Sequence, residues 1–377
     1  MSSRGDAVST AASGAASEAG RVVETDPFTD SRWESFVAGH PDAILYQHPG
    51  WLEVLQSAYG YELVPLAYEE PSGELGGVLP LLRTRGLFTG RRLSSLPHTP
   101  VAGPLASSDG AMEGLLSAAV DRVRADGRTR LQLKVGEQRL DGLVQGLSGV
   151  PGEPSYVLDL PDDPERLRFG NARNHGRIKW AVNKAGRLHV TARRAETEDD
   201  LAAWYTLYLE TMREHAVPPR PYRFFACAWR TLAPRGHIRL LLAEQTEGSS
   251  TRLLAGSLFL LFGSTVFYAF TGGARKHLWL RPNDLIQWHA IHDAAVEGFG
   301  RFDFGEVGRD DAGLADFKSK WGAVARPLYR YYYPAGGVDG SFAGGRLESL
   351  RRPAMTAWRR LPLRVTAVGG AWIYRYF

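Results

Sequence analysis

Apolar positions recur along this chain with two periods, and the switches between them predict its elements. Residues 31–38 and 49–58 repeat at helical spacing, with Ser31 suited to the start of the first helix and Pro49 to the first turn of the second. Alternating runs at 62–69 and 76–82, joined by Pro71-Ser72-Gly73, predict a hairpin. Residues 111–124 set Leu115, Leu116, Ala119 and Val123 on one side of an amphipathic helix, and 130–135 is another strand. A Gly-, Pro- and Asp-rich stretch over 136–164 holds one strand, 155–160, and a domain boundary is placed near its end.

The second half opens on a predicted helix over 164–186. Arg173, Arg177, Ala181 and Lys184 are spaced four, four and three apart, so three cations share a face, with no acid between Arg166 and Lys184 to neutralise them. That row is read either as an anion-binding face or as a solvated one. A strand (188–193), a helix holding Leu201, Trp204, Tyr205, Tyr208 and Met212, a helix over 222–232 and a strand over 238–244 follow. The uncharged run LLAGSLFLLFGSTVFYAF, residues 253–270, is long enough to suggest a membrane span, but Gly263-Ser264 divides it into two strand-length pieces, which predicts a buried hairpin. A helix over 283–300 with Leu285, Trp288, Ile291, Ala295 and Phe299 inward precedes the strand Arg301-Phe302-Asp303-Phe304. Both halves therefore show helices, an antiparallel hairpin, a helix and a strand.

Composition changes this picture little. Of 377 residues, 44% are hydrophobic and 23% charged, which describes a globular chain of two domains or one large one. The single cysteine, Cys227, excludes an internal disulfide and a cysteine zinc site, and FFACAWR reads as packing for its thiol. His289 and His292 lie three apart without a third ligand at suitable spacing, so no metal is expected. The net charge of +4 permits an anionic partner. Residues 1–24, Ser-, Ala- and Gly-rich with no continuous apolar segment, read as a disordered tail without a signal peptide. Residues 335–377 form a basic aromatic tail: Arg346, Arg351, Arg352, Arg359, Arg360, Arg364 and Arg375 interleave with Trp358, Trp372, Tyr374 and Phe377, a mixture that suits an anionic membrane surface, RNA, or packing on the domain.

Chemistry concentrates in residues 301–322, RFDFGEVGRDDAGLADFKSKWG. A short strand breaks at Gly305 and Gly308, where backbone can approach a ligand, acids follow (Glu306, Asp310, Asp311), and a helical piece over 313–321 puts Phe317 and Trp321 on one face with Lys318 and Lys320 beside it. The plain alternative is a strand-loop-helix corner whose charges face water.

HPGWLEVLQSAYGYE, GGVLPLLRTR, RRLSSLPHTPVAGPL, Asn283 with its helix, FDFGEVGRDDAGLADFKSKWGA and PLYRYYYP, in this order over residues 33–334, resemble the FemAB-like branch of the GNAT superfamily and related exopolysaccharide-associated acetyltransferase-like proteins. The resemblance implies an α+β fold of two tandem GNAT-like domains, each a mixed, largely antiparallel sheet flanked by helices, here placed at 25–160 and 161–334 with the active site in the second. It implies a cytoplasmic N-acyltransferase, without a permanently bound cofactor, that moves an acyl or aminoacyl group from acyl-CoA or aminoacyl-tRNA to an amine on a small or lipid-linked cell-envelope, peptidoglycan or exopolysaccharide precursor. Where ordinary GNAT enzymes hold the CoA pyrophosphate on a glycine-bearing loop, this chain reads LWLRPND, and the coiled-coil arm of tRNA-dependent cell-wall enzymes has no counterpart, so both donors stay open. The resemblance makes Lys318 the lysine of a Phe-Lys-x-x-Trp pattern, read as a donor to an oxyanion or a phosphate or else as a surface lysine. By their own chemistry the nearest carboxylates, Asp303 and Glu306, are candidates to orient the amine or take its proton, with Asp303 equally a cap for the adjoining loop, and Tyr268 is either a hydrogen-bond donor or a packed tyrosine. Arg173, Arg177, Asn283, Phe304 and Trp321 are the candidate binding positions. The rival reading is an inactive GNAT-like module that binds an anionic saccharide, lipid or RNA.

Overall fold

The computed structural model describes residues 20–86, 90–335 and 345–374. In chain order, strand β1 (Arg21–Glu24), helices α1 (Ser31–Gly39) and α2 (Pro49–Tyr59), strands β2 (Glu62–Glu69), β3 (Leu75–Gly86), β4 (Gly90–Ser94) and β5 (Leu105–Ala106), helix α3 (Asp109–Asp126) and strands β6 (Thr129–Val135), β7 (Ser148–Pro151) and β8 (Ser155–Asp159) make the first half. Helix α4 (His175–Arg187), strand β9 (Val190–Arg194), helices α5 (Glu198–Glu214) and α6 (Tyr222–Leu232), strands β10 (Ile238–Glu247), β11 (Ser250–Phe262) and β12 (Thr265–Gly273), helix α7 (Pro282–Val296), strand β13 (Arg301–Glu306) and helix α8 (Ala312–Lys320) follow. Strands β14 (Val324–Arg326) and β15 (Tyr329–Tyr333) and helices α9 (Gly345–Arg360) and α10 (Leu363–Ile373) close the chain.

The strands form two mixed sheets, ordered β1-β2-β3-β4-β6-β15-β7, with β5 on β3, and β14-β8-β13-β12-β11-β10-β9. Neighbours are antiparallel except β4–β6 in the first sheet and β12–β13 in the second. This is the expected α+β arrangement of two largely antiparallel sheets with helices. The apolar run at 253–270 is the β11–β12 hairpin, turning at Gly263 with φ +53°. Among the described residues no helix is long and apolar enough to cross a membrane.

Three sequence expectations differ from the structure. Residues 1–19 lie outside the described residues, but 21–24, assigned to the tail, form β1 against β2. The boundary at 160 does not separate the sheets: β8 lies in the second sheet, whereas β15, from the second predicted domain, sits between β6 and β7 in the first. Alternation tells a strand's faces and not its sheet, and the fully buried Tyr331 of β15, whose hydroxyl bonds Asp141 and the Leu140 amide, fixes that choice. The helix predicted over 164–186 begins only at His175, because the Asn171 side chain accepts from the Asn174 amide and donates to Ser319 O at 2.7 Å, tying the preceding turn to α8. Over its described part the C-terminal segment packs on the domain, one of the readings that its sequence left open. Helix α10 lies against α5, with Gly369 facing Trp358 and Gly370 so close to Pro219 that a Cβ would collide with its carbonyl oxygen.

A hydrophobic cluster joins the halves, running from Trp33 and Val37 of α1 and Trp51 and Leu55 of α2 to Trp204, Phe224, Phe225, Leu258 and Phe267. Trp33 is fully buried and donates its indole N–H to Gln47 O at 3.0 Å. Trp33→Ala is expected to cost about 3–5 kcal/mol, read as a lower urea midpoint with an unchanged slope.

Candidate functional site

Strands β12 and β13 pair in parallel only over Thr265–Phe267 and Arg301–Asp303. Beyond that point they diverge, β12 running on to Gly273 and β13 to Glu306. Two local features open the wedge. On the β11 side, register shifts between Leu258 and Phe259, leaving Ala269 as an extra residue that bends β12. On the other side, Gly305 adopts φ +80°, a conformation that costs a residue with a Cβ about 1–2 kcal/mol. The diverging edges leave backbone donors and acceptors without a partner strand, so a ligand chain can lie between them.

The wedge opens into a cavity of about 580 Å³ walled by both halves. Phe304, Glu306 and Tyr268 come from the wedge, Lys318 from α8, Lys134 from β6 and Arg330 from β15. Lys318 is 3% exposed, and its Nζ donates to Gly305 O (2.9 Å) and Glu306 O (3.0 Å). One of its three N–H groups therefore remains for a ligand. Asp303 Oδ1 accepts from Ser155 Oγ and, at 2.7 Å, from the Gly305 amide, so this carboxylate braces the strand where it splays. Glu306 is ion-paired with Arg330, which also donates to Pro100 O at 2.8 Å. Lys134 Nζ donates to Leu96 O and Thr99 O, both at 3.0 Å, and Arg220 donates to His98 O at 2.7 Å. These two cations hold a loop in which Leu96 and His98 have positive φ.

Burial dominates the titration of the site. It raises both Asp303 and Glu306 above the usual carboxylate range, against hydrogen bonds from Ser155 and Gly305 at the first and against Arg330 at the second. It pushes the Lys318 ammonium down to about 8 while Asp303 and Glu306 resist, and Lys134 down to about 7 with help from Arg330. Four cations (Lys134, Arg220, Lys318, Arg330) face two carboxylates here, and only Arg330 has a carboxylate partner among them. The cavity can therefore hold an anionic group, polarise a carbonyl, and take a proton on Glu306.

The structure brings Lys318, Asp303, Glu306, Tyr268 and Phe304 together around this cavity. Tyr268 also packs edge-on against Phe304. The other predicted positions lie elsewhere. Trp321 is a core residue with 2% exposure. Arg173 precedes α4, so it does not share a helix face with Arg177; both are exposed, and Arg177 borders a small crevice with Trp180, Arg281, Asp284 and Lys320 at the start of α7. Asn283 stands in the first turn of α7, its buried Oδ1 near Gly273 at the far end of β12 and without a hydrogen-bond partner. Lys320 pairs with Asp284 at 2.7 Å. Trp321 and Phe317 do orient α8, but they turn Lys318 inward and not merely to one side.

Sequence reasoning missed Lys134, Arg220 and Arg330. Lys134 sits in RLQLKV, where the alternation puts it opposite the apolar face, and nothing local marks that face as an inter-domain wall. The SLPHTP loop was the available signal, because its strained carbonyls require buried donors.

A family model described as acetyltransferase (GNAT) domain matches residues 172–319, a span containing β12, α7, β13 and Lys318. No curated protein matches the chain. Among solved structures it is similar to FemX, at 16% identity and a TM-score of 0.63, over 83% of this chain and 97% of that one. It is similar also to the C-terminal domain of a putative lysylphosphatidylglycerol synthetase from Agrobacterium fabrum, at 10% identity and TM-score 0.54 over 81% and 92% of the two chains. L-PGS from Bacillus licheniformis matches at 10% identity and TM-score 0.54 over 89% and 97%. At these identities the likeness establishes the fold.

Proposed function

We propose, starting from a chain that carries a GNAT acetyltransferase domain within a FemAB-like tandem fold, that it is a cytoplasmic N-acyltransferase acting on an amine of a cell-envelope precursor. The observation that carries this reading is the wedge between β12 and β13, with Glu306 and Lys318 at its mouth. The donor's acyl arm lies along the unpaired edge of β12. Its phosphates reach the start of α7, where Arg281 and Arg177 border the crevice and the first-turn amides carry partial positive charge. The acceptor amine stands at Glu306. Its nitrogen attacks the acyl carbonyl, Lys318 meets the developing oxyanion, and Glu306 takes the proton as the donor's thiolate or ribose oxygen leaves. The donor is acyl-CoA or aminoacyl-tRNA. The envelope acceptor is supported by the neighbours FemX and a lysylphosphatidylglycerol synthetase, the second named for an amino acid joined to a phospholipid.

Mass spectrometry of ligands released from the purified protein tests this reading. A CoA ester, a tRNA fragment or an amine-bearing envelope precursor is expected; a ligand with neither an activated acyl group nor an amine speaks for the inactive binding module. Because Arg173 and Arg177 are exposed, Arg173→Ala/Arg177→Ala is expected to leave thermal stability unchanged. Calorimetric titration should show donor affinity lowered about tenfold, a loss of roughly 1.4 kcal/mol. Unchanged affinity returns this segment to a solvated face.

A further inference from the structure

Helix α10 presents an exposed apolar stripe. Thr366 and Gly370 face the protein, while Val365 is 48%, Val368 72% and Trp372 56% exposed. These three positions, three and four apart, lie on one side of the helix. Arg359, Arg360 and Arg364 are exposed at its N-terminal end, and the sequence has no acid after Glu348. An apolar stripe ending in tryptophan and flanked only by arginines is the composition of a helix lying in a lipid headgroup region.

A second feature adjoins it. A groove of about 840 Å³ along β3 and β4 is lined by Arg83, Arg85, Arg91 and Arg92. Arg83 pairs with Glu62 and Arg91 with Asp126, whereas among the described residues Arg85 and Arg92 have no acidic partner. Tyr59 and Tyr61 line this groove and also hold the end of α10: Tyr61 donates to Tyr374 O at 3.0 Å, and Tyr59 stacks on the Tyr374 ring. Tyr374 in turn lines the cavity at the β12–β13 wedge. The apolar stripe, the arginine-lined groove and the cavity thus meet at Tyr374.

We propose that α10 and the β3–β4 groove seat this protein on an anionic membrane surface, with Val365, Val368 and Trp372 in the headgroup layer and the arginines on lipid phosphates. The apolar stripe favours lipid over RNA, since RNA would use the arginines and leave the valines in water. Membrane seating stands on these surface features alone. Its consequence, that a lipid-linked amine reaches the cavity without leaving the bilayer, rests on the acyl-transfer reading.

The test is sedimentation of the full-length protein with vesicles of phosphatidylcholine alone or with one quarter phosphatidylglycerol. Binding is expected to the anionic vesicles only and to weaken at 0.5 M salt, a concentration chosen to be on the order of several-fold above physiological. Val365→Glu/Val368→Glu, at exposed positions and with thermal stability unchanged, should lower vesicle affinity by at least about tenfold. Arg359→Ala/Arg360→Ala/Arg364→Ala should lower it about a hundredfold, at roughly fivefold per arginine. Wild-type protein that stays in the supernatant, or a valine pair variant that binds vesicles as well as wild type, overturns the proposal. So does a short RNA that displaces the protein from vesicles and binds the valine pair variant and wild type equally. Vesicle binding without acyl transfer would keep the seat and remove the enzyme; transfer to a soluble amine without vesicle binding would do the reverse.

Discussion

Glu306→Gln is expected to lower kcat by about a hundred- to ten-thousandfold, the range for losing a general base, with KM for both substrates within a few-fold. The amide keeps the volume of the carboxylate and can still accept from Arg330, but it cannot take a proton at neutral pH. Among the two carboxylates of the cavity only Glu306 has this freedom. Asp303 is committed to Ser155 and to the Gly305 amide, so Asp303→Asn is expected to loosen the end of β13 and lower thermal stability as well as rate. The surroundings of Glu306 suit a general base, since burial raises its proton affinity toward working pH and Arg330 fixes its direction. Steady-state rates at saturating donor decide it, and a Glu306→Gln enzyme with normal kcat would move the base to Lys134, which burial has brought to about 7.

Lys318→Met is expected to lower kcat about a hundred- to a thousandfold, the usual result of deleting one oxyanion donor. The buried ammonium also holds the carbonyls of Gly305 and Glu306, so its loss frees the edge that carries the base. A pH profile separates the two roles. As pH rises, kcat/KM should first increase as Glu306 loses its proton, then fall near pH 8 as Lys318 loses its own. Lys318→Arg, whose guanidinium does not titrate in this range, should keep part of the rate and abolish the alkaline fall. Lys134→Met should leave that fall in place, because a neutral Lys134 amine still donates to Leu96 O and Thr99 O. An alkaline limb unchanged in Lys318→Arg would remove this lysine from the chemical step.

The sequence carried the elements better than their assembly. The β11–β12 hairpin and α7 were legible because an apolar run split by Gly263-Ser264 and a helical repeat are each visible in a short window, although β11 proves to be buried on both faces. Gly305 and Gly308 marked the end of β13 for the same local reason. What the window cannot show is which sheet a strand joins: β8 and β15 exchange halves, and with them Arg330 enters the cavity. The arginine row at 173–184 looked like one helix face because charge spacing does not report the turn that Asn171 pins to Ser319. The pairing of Lys320 was not visible because its partner, Asp284, lies on a different helix. Local chemistry was thus legible at the wedge, whereas the walls contributed by Lys134, Arg220 and Arg330 required the fold.

The central claim, that the β12–β13 wedge transfers an acyl group to an amine, is tested most directly by following the group itself. Purified protein is incubated with an isotope-labelled acyl-CoA pool or a labelled aminoacyl-tRNA pool and with an extract of cell-envelope precursors, and the products are read by mass spectrometry. The account predicts that one of the two pools labels a primary amine of a precursor through an amide bond, and that Glu306→Gln suppresses the product. Labelled ligand that binds the cavity and is recovered unchanged from both pools, with wild type and Glu306→Gln indistinguishable, would contradict it.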